Sequence, residues 1–139
     1  MRIMAFDYGT KRVGIAVTDP LQLIATALDT IHAKDVLAYI KNYLEREAVT
    51  AFVVGMPRQV DGTESESAQH VRGFIRTLRR TFPTIPIETI DERFTSKMAS
   101  ASISQSGMTK KKRQDKSLID RVSAVLILQS YLERRDFHR

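Results

Sequence analysis

The chain has 139 residues, 42% of them apolar and 27% charged, with no cysteine and a formal net charge of +6 at pH 7. That length and balance suit one soluble domain, residues 1–139, large enough to bury a real core. A disulfide framework and thiolate chemistry are excluded, and no apolar run approaches the roughly 20 residues of a membrane span.

The first predicted element is a strand over Ile3–Phe6, four apolar residues in a row, as in a central strand covered on both faces. It ends in Asp7, an acid at the lip of a sheet, where burial is costly unless a cation shares the site. Gly9 marks a tight turn into a second strand, Val13–Thr18, and a third extended run covers Leu23–Ile31. The short connections predict an antiparallel meander. A helix follows near Lys34–Glu47, with Val36, Leu37, Ile40 and Leu44 on one stripe. The continuous apolar run Ala51–Val54 lies inside a fourth strand, Thr50–Gly55, broken by Met56-Pro57.

Thr63 and Glu66 have capping-box spacing and open a second helix, whose buried stripe is Ala68, Val71, Phe74, Ile75 and Leu78. Pro83 and Pro86 bracket its exit, and a fifth strand, Ile85–Ile90, runs into Asp91-Glu92-Arg93. A Ser-rich helix near Thr95–Ser106, a basic loop over Met108–Lys116 and a final, mostly apolar helix over Ser117–Arg135 complete the chain. This order predicts an α/β fold with a mixed five-stranded sheet (β1-β2-β3 antiparallel, then α-β-α-β-α) and helices on both faces. Sites in such sheets lie beyond the carboxyl ends of the parallel strands.

Asp7 and Glu92 end strands able to lie side by side. Asp120 sits in the first turn of the last helix, one face with Ala124, Ile127 and Tyr131. Three convergent carboxylates need cations to stay ionised together, and hard Mg²⁺, or Mn²⁺ in its place, is the natural partner. Paired ions of that kind serve phosphodiester hydrolysis. Plainer roles are open too: Asp7 as a turn cap, Asp120 as a helix cap with Ser117, and Asp91 as a loop cap, while either Asp91 or Glu92 could be the ligand. Strand alternation lets only one of Asp91 and Glu92 face the site, and Glu92 is the choice here. The basic excess and sequence pI of about 9.8 favour a polyanionic partner. Lys11, Arg12, Arg93 and Lys97 are candidate phosphate contacts, as is the run Lys110, Lys111, Lys112, Arg113, which equally suits a solvated loop.

Taken together, Phe6-Asp7-Tyr8-Gly9-Thr10-Lys11-Arg12-Val13-Gly14, Val53-Val54-Gly55-Met56-Pro57 with Asp61-Gly62-Thr63, Asp91-Glu92-Arg93-Phe94-Thr95, and Asp120-Arg121-Val122-Ser123-Ala124 with Tyr131-Leu132 resemble the YqgF family, also called RuvX, of the ribonuclease H-like superfamily. The resemblance spans almost the whole length. It implies a ribonuclease H-like fold and a bacterial cytoplasmic nuclease that matures the 5′ end of pre-16S ribosomal RNA, with Asp7, Glu92 and Asp120 as metal-binding catalytic acids. Pre-rRNA, ribosomal particles and branched DNA are the implied partners, with no membrane and a monomer or homodimer. Resolvases of the RuvC type carry an acid at the end of the fourth strand, where this chain has Gly55-Met56-Pro57, so Glu92 stands in and junction resolution does not transfer directly. Two other functions fit parts of the pattern. A kinase of the actin–hexokinase class shares the Asp-x-Gly-Thr turn but needs two lobes. A non-catalytic RNA-binding ribosome-assembly factor would leave the acids repelling its own ligand.

Overall fold

A computed structural model describes residues 1–57, 67–91 and 116–137, the side chains of 116–121 and 137 excepted. The strands are β1 Arg2–Tyr8, β2 Arg12–Thr18, β3 Ala25–His32, β4 Val49–Met56 and β5 Ile87–Asp91. The helices are α1 Val36–Arg46, preceded by a single 3₁₀ turn, α2 Ser67–Thr81 and α3 Lys116–Phe137. The strands form one sheet in the order β3-β2-β1-β4-β5. β1 and β2, and β2 and β3, pair antiparallel, while β1–β4 and β4–β5 pair parallel. This is the predicted mixed sheet, with the continuous apolar runs of β1 and β4 side by side at its centre.

Period-two alternation divides the core in two. Met4 and Phe6 of β1, with Val13 and Ile15 of β2 and Phe52 and Val54 of β4, meet α1 and α2. Ile3 and Ala5 of β1, with Ala16, Ala51, Val53 and Ile90, meet Ala124, Ile127, Leu128 and Leu132 of α3. The first layer is built on rings: Phe6 contacts Phe52 and Phe74 edge to face, at 5.5 and 5.4 Å between centroids. Helices therefore cover both faces, as predicted.

Two boundaries and the burial of one helix differ from the sequence expectation, each boundary for a hydrogen-bonding reason. β3 begins at Ala25 because the Asp19 carboxylate captures the N–H groups of Leu21, Leu23 and Ile24 at 3.1, 2.8 and 2.7 Å, folding that apolar stretch into a loop. Gln22 takes φ of 60° there, and Leu21, Leu23 and Ile24 stay exposed. β5 begins at Ile87 because Pro86 has no N–H and offers only its carbonyl, to the Phe52 N–H at 2.9 Å, while the Ile85 N–H turns back to the Phe82 carbonyl. α3 is also less evenly buried than its composition predicts: Gln129, Glu133 and Arg134 form an exposed stripe opposite Ala124, Ile127 and Leu128. The predicted helix start at Thr63, the helix over 95–106 and the basic loop over 108–116 fall outside the described residues, apart from Lys116 in α3.

Candidate active site at the carboxyl edge

Three parallel strands, β1, β4 and β5, end on the same edge of the sheet. Asp7 is the penultimate residue of β1 and is half-buried. Ile3 and Ala5 face α3, so the same parity puts Asp7 on the α3 face. Directly opposite Asp7 on β2 is Gly14. On β4, Phe6 is level with Val54, and one further step brings Gly55 beside Asp7. Both cross-strand neighbours are glycines, so the carboxylate has no side chain directly beside it in the sheet. A bulky residue at either place would project onto the same face.

The turn after Asp7 is tight. The Gly9 N–H donates to the Arg12 carbonyl at 2.9 Å, and a Cβ on Gly9 would stand 2.8 Å from that same oxygen, so glycine is required. Lys11 and Arg12 are thereby held at the edge, Lys11 exposed and Arg12 half-buried. The Lys11 carbonyl accepts from the Ala33 N–H at 2.9 Å, tying the turn to the end of β3.

The direction of α3 follows from its far end. Arg135 donates to the side-chain and main-chain oxygens of Gln22 at 2.6 and 3.3 Å, and the Gln22 amide donates to the Met1 carbonyl. Arg134 reaches the Thr89 carbonyl at 3.3 Å and pairs with Glu88 at 3.6 Å. The carboxyl end of α3 thus lies at the amino end of β1, and its first turns lie at the edge that carries Asp7. Asp120 falls in those turns, one helical turn before the fully buried Ala124.

Parity also separates the two acids after β5. Ile90 packs on the α3 layer and Ile87 on the α1/α2 layer, so Asp91, level with Met56, belongs with Ile87 and Thr89 on the far face. Asp91 is directed away from the face Asp7 occupies. Glu92, Arg93, Lys97, Lys110, Lys111, Lys112 and Arg113 lie outside the described residues, and the Asp120 side chain does too. Among the described residues no three His, Asp or Glu side chains gather as a metal site. His32 accepts from the Lys34 N–H at 3.2 Å and so caps the 3₁₀ turn, a structural role. Also among the described residues, no helix is long and apolar enough to cross a membrane.

The sheet order, the two helical layers and the strand-terminal acid define a ribonuclease H-like α/β protein. RuvC of Thermus thermophilus in complex with a Holliday junction substrate shares this fold, with a TM-score of 0.58 at 14% identity over 99% of this chain and 96% of that one. A second Thermus thermophilus RuvC structure matches with a TM-score of 0.55 at 17% identity over 98% of this chain and 97% of that one. The chain belongs to the RuvX family, described as Holliday junction resolvase, whose sequence model matches residues 1–134. It is 50% identical over 135 residues to a Porphyromonas gingivalis protein named "Putative pre-16S rRNA nuclease", covering 97% of this chain and 98% of that one. Proteins of the same name in Parabacteroides distasonis and Bacteroides thetaiotaomicron are 48% and 45% identical, each over 98% of this chain and 97% and 99% of theirs. The family is one of nucleases, as the motifs implied.

Proposed function

We propose that this chain is a metal-dependent nuclease of the bacterial cytoplasm that hydrolyses phosphodiester bonds in RNA, in the 5′-end processing of pre-16S ribosomal RNA. The observation that carries it is Asp7, a half-buried carboxylate flanked by two glycines at the carboxyl edge of a RuvC-like sheet. The full-length relatives named as pre-16S rRNA nucleases support the substrate.

The donor set fits a hard divalent cation. Asp7, Glu92 and Asp120 offer carboxylate oxygens alone, the ligands Mg²⁺ and Mn²⁺ prefer. Held there, such ions supply Lewis-acid stabilisation of the charge that develops at phosphorus. The three acids bind and orient; without a cation their shared negative charge would repel the substrate. Lys11 and Arg12 hold phosphates beside the cut from the β1–β2 turn. Arg93, Lys97 and the run Lys110, Lys111, Lys112, Arg113 contact the backbone on either side. In this reading Glu92 rather than Asp91 is the ligand, because Asp91 has the parity of the opposite face.

The test is cleavage of a pre-16S transcript in Mg²⁺ or Mn²⁺. Asp7→Asn is expected to lower the rate at least about a hundredfold with its melting temperature unchanged. Wild-type rates in that variant would refute the assignment. Cutting of a four-way DNA junction, with RNA left intact, would change the substrate and keep the chemistry.

A further inference from the structure

A second feature of the carboxyl edge lies on the face away from Asp7. A cavity of about 440 Å³ opens between the start of α1 and the outer side of α2. Tyr8 forms part of its wall and stacks on Phe74, ring centroids 4.4 Å apart and planes 15° off parallel. Around the mouth stand Lys34, His70, Arg76 and Arg80, all exposed. Among the described residues no carboxylate lines the cavity, and none of these four makes an ion pair with a described carboxylate.

Two properties of α2 are costly or unused if it is only a packing element. Its fifteen residues, Ser67–Thr81, contain four arginines and no acid. Arg76 and Arg80 stand one helical turn apart on the exposed side, and the half-buried Arg72 precedes them at the same spacing. Gly73 sits in mid-helix, where glycine is less favourable than alanine by up to about 1 kcal/mol. Yet a Cβ there would meet only the Arg76 guanidinium, at an ordinary 3.7 Å, so packing does not demand the glycine. It lines the cavity.

Asp7 and Tyr8 are consecutive in β1 and project to opposite faces. A strand whose reacting phosphate lies at Asp7 therefore needs only to cross the edge of one β-strand to reach the cavity. We propose that the cavity and the arginine line of α2 form the path of the single-stranded RNA flanking the cut. On that path a phosphate sits among Lys34, Arg76 and Arg80, and Tyr8–Phe74 is the apolar wall against which a base can rest. Basic grooves with an aromatic wall are how proteins hold single strands without reading their sequence. This rests on the nuclease reading for the position of the cut, but not for the binding itself.

The test is anisotropy of a labelled 12-nucleotide single-stranded RNA, in an Asp7→Asn background so that nothing is cut, over a range of salt. Adding Arg76→Ala and Arg80→Ala is expected to weaken binding on the order of tenfold at 0.1 M salt. The log–log salt slope should flatten by about 0.7 for each phosphate that is no longer neutralised. Arg76→Lys with Arg80→Lys should restore most of the slope. Lys41→Ala with Arg46→Ala, the same charge change on the exposed side of α1, should leave affinity within about twofold. Equal losses from the two alanine pairs would overturn the path, leaving only a net-charge effect. So would displacement of the RNA by micromolar 5′-mononucleotide or inorganic phosphate, which would make the cavity a free-nucleotide or phosphate site. Unchanged affinity together with normal cleavage by the Arg76→Ala, Arg80→Ala protein would overturn this proposal alone. A wild type that cuts nothing, yet shows the expected slopes, would remove the nuclease reading and leave this one standing.

Discussion

The two faces of the sheet are built from different materials. On the α1/α2 face the buried layer holds Phe6, Phe52 and Phe74, with Tyr8 and Phe82 packed at its margins. On the α3 face four of the ten buried apolar positions among the described residues are alanine: Ala5, Ala16, Ala51 and Ala124. Rings need a thicker layer, whereas methyl groups let a helix backbone come close to a sheet. Asp7 and the first turns of α3 share the thin side. The ring-rich side is thus the one whose truncation should cost most, and the alanine-rich side is the one on which the proposed acids would meet.

The sharpest way to break this contrast is to exchange sizes between the faces. Phe6→Ala, fully buried between Phe52 and Phe74, should cost about 3–5 kcal/mol in urea unfolding. A loss under about 1 kcal/mol would mean the ring layer is not the main core. Ala5→Leu, on the thin face, should cost about 1–3 kcal/mol by overpacking. It should also lower RNA cleavage out of proportion to its stability loss, because it pushes α3 off the sheet. Cleavage that tracks only the folded fraction would show that helix height does not matter.

Smaller effects sharpen the picture. Ser123 is 1% exposed on α3, and its hydroxyl has no hydrogen-bond partner among the described residues. Ser123→Ala should therefore raise stability by about 1 kcal/mol, measured by thermal melting. Gly73→Ala on α2 should raise it by about 0.5–1 kcal/mol, since the added methyl meets only Arg76. A fall in melting temperature would show that the helix is constrained there in some other way.

The least effect concerns Asp19. The Ile24 N–H above all, with those of Leu23 and Leu21, holds its carboxyl below the usual carboxylate range, against an opposing push from desolvation. A depressed folded pKa means the loop is stabilised above the unfolded value near 3.9 and loses that support as pH falls through the folded one. The amide resonances of Leu23 and Ile24 should titrate with a midpoint below about 3.9, and Asp19→Asn should abolish the titration. A midpoint at or above the ordinary value would contradict the capture of these groups.

Much of this architecture is legible in residue order. The unbroken apolar runs Ile3–Phe6 and Ala51–Val54 announce central strands, and both are central. Gly9 announces the turn it makes, and the α2 stripe is buried at all five positions named for it. The start of β3 is not legible, because Leu23 and Ile24 look like strand residues while Asp19 takes their N–H groups. The use of the α2 arginines is not legible either. Their i, i+4, i+8 spacing with no acid between them is there to be read, but only the cavity beside Tyr8 gives that pattern something to hold.

The sequence by itself determined the types of the described elements, the meander, the acid at the end of the first strand and the membership in a nuclease family. Local patterns encode these, because strand period, turn chemistry and motif spacing are properties of neighbouring residues. Tertiary structure alone decided that β1 lies between β2 and β4, that Asp7 is flanked by Gly14 and Gly55, that Asp91 has the parity of the α1/α2 face, and that α3 runs back along the sheet. Those depend on register and handedness between segments far apart in the chain, which only the packing of whole layers selects.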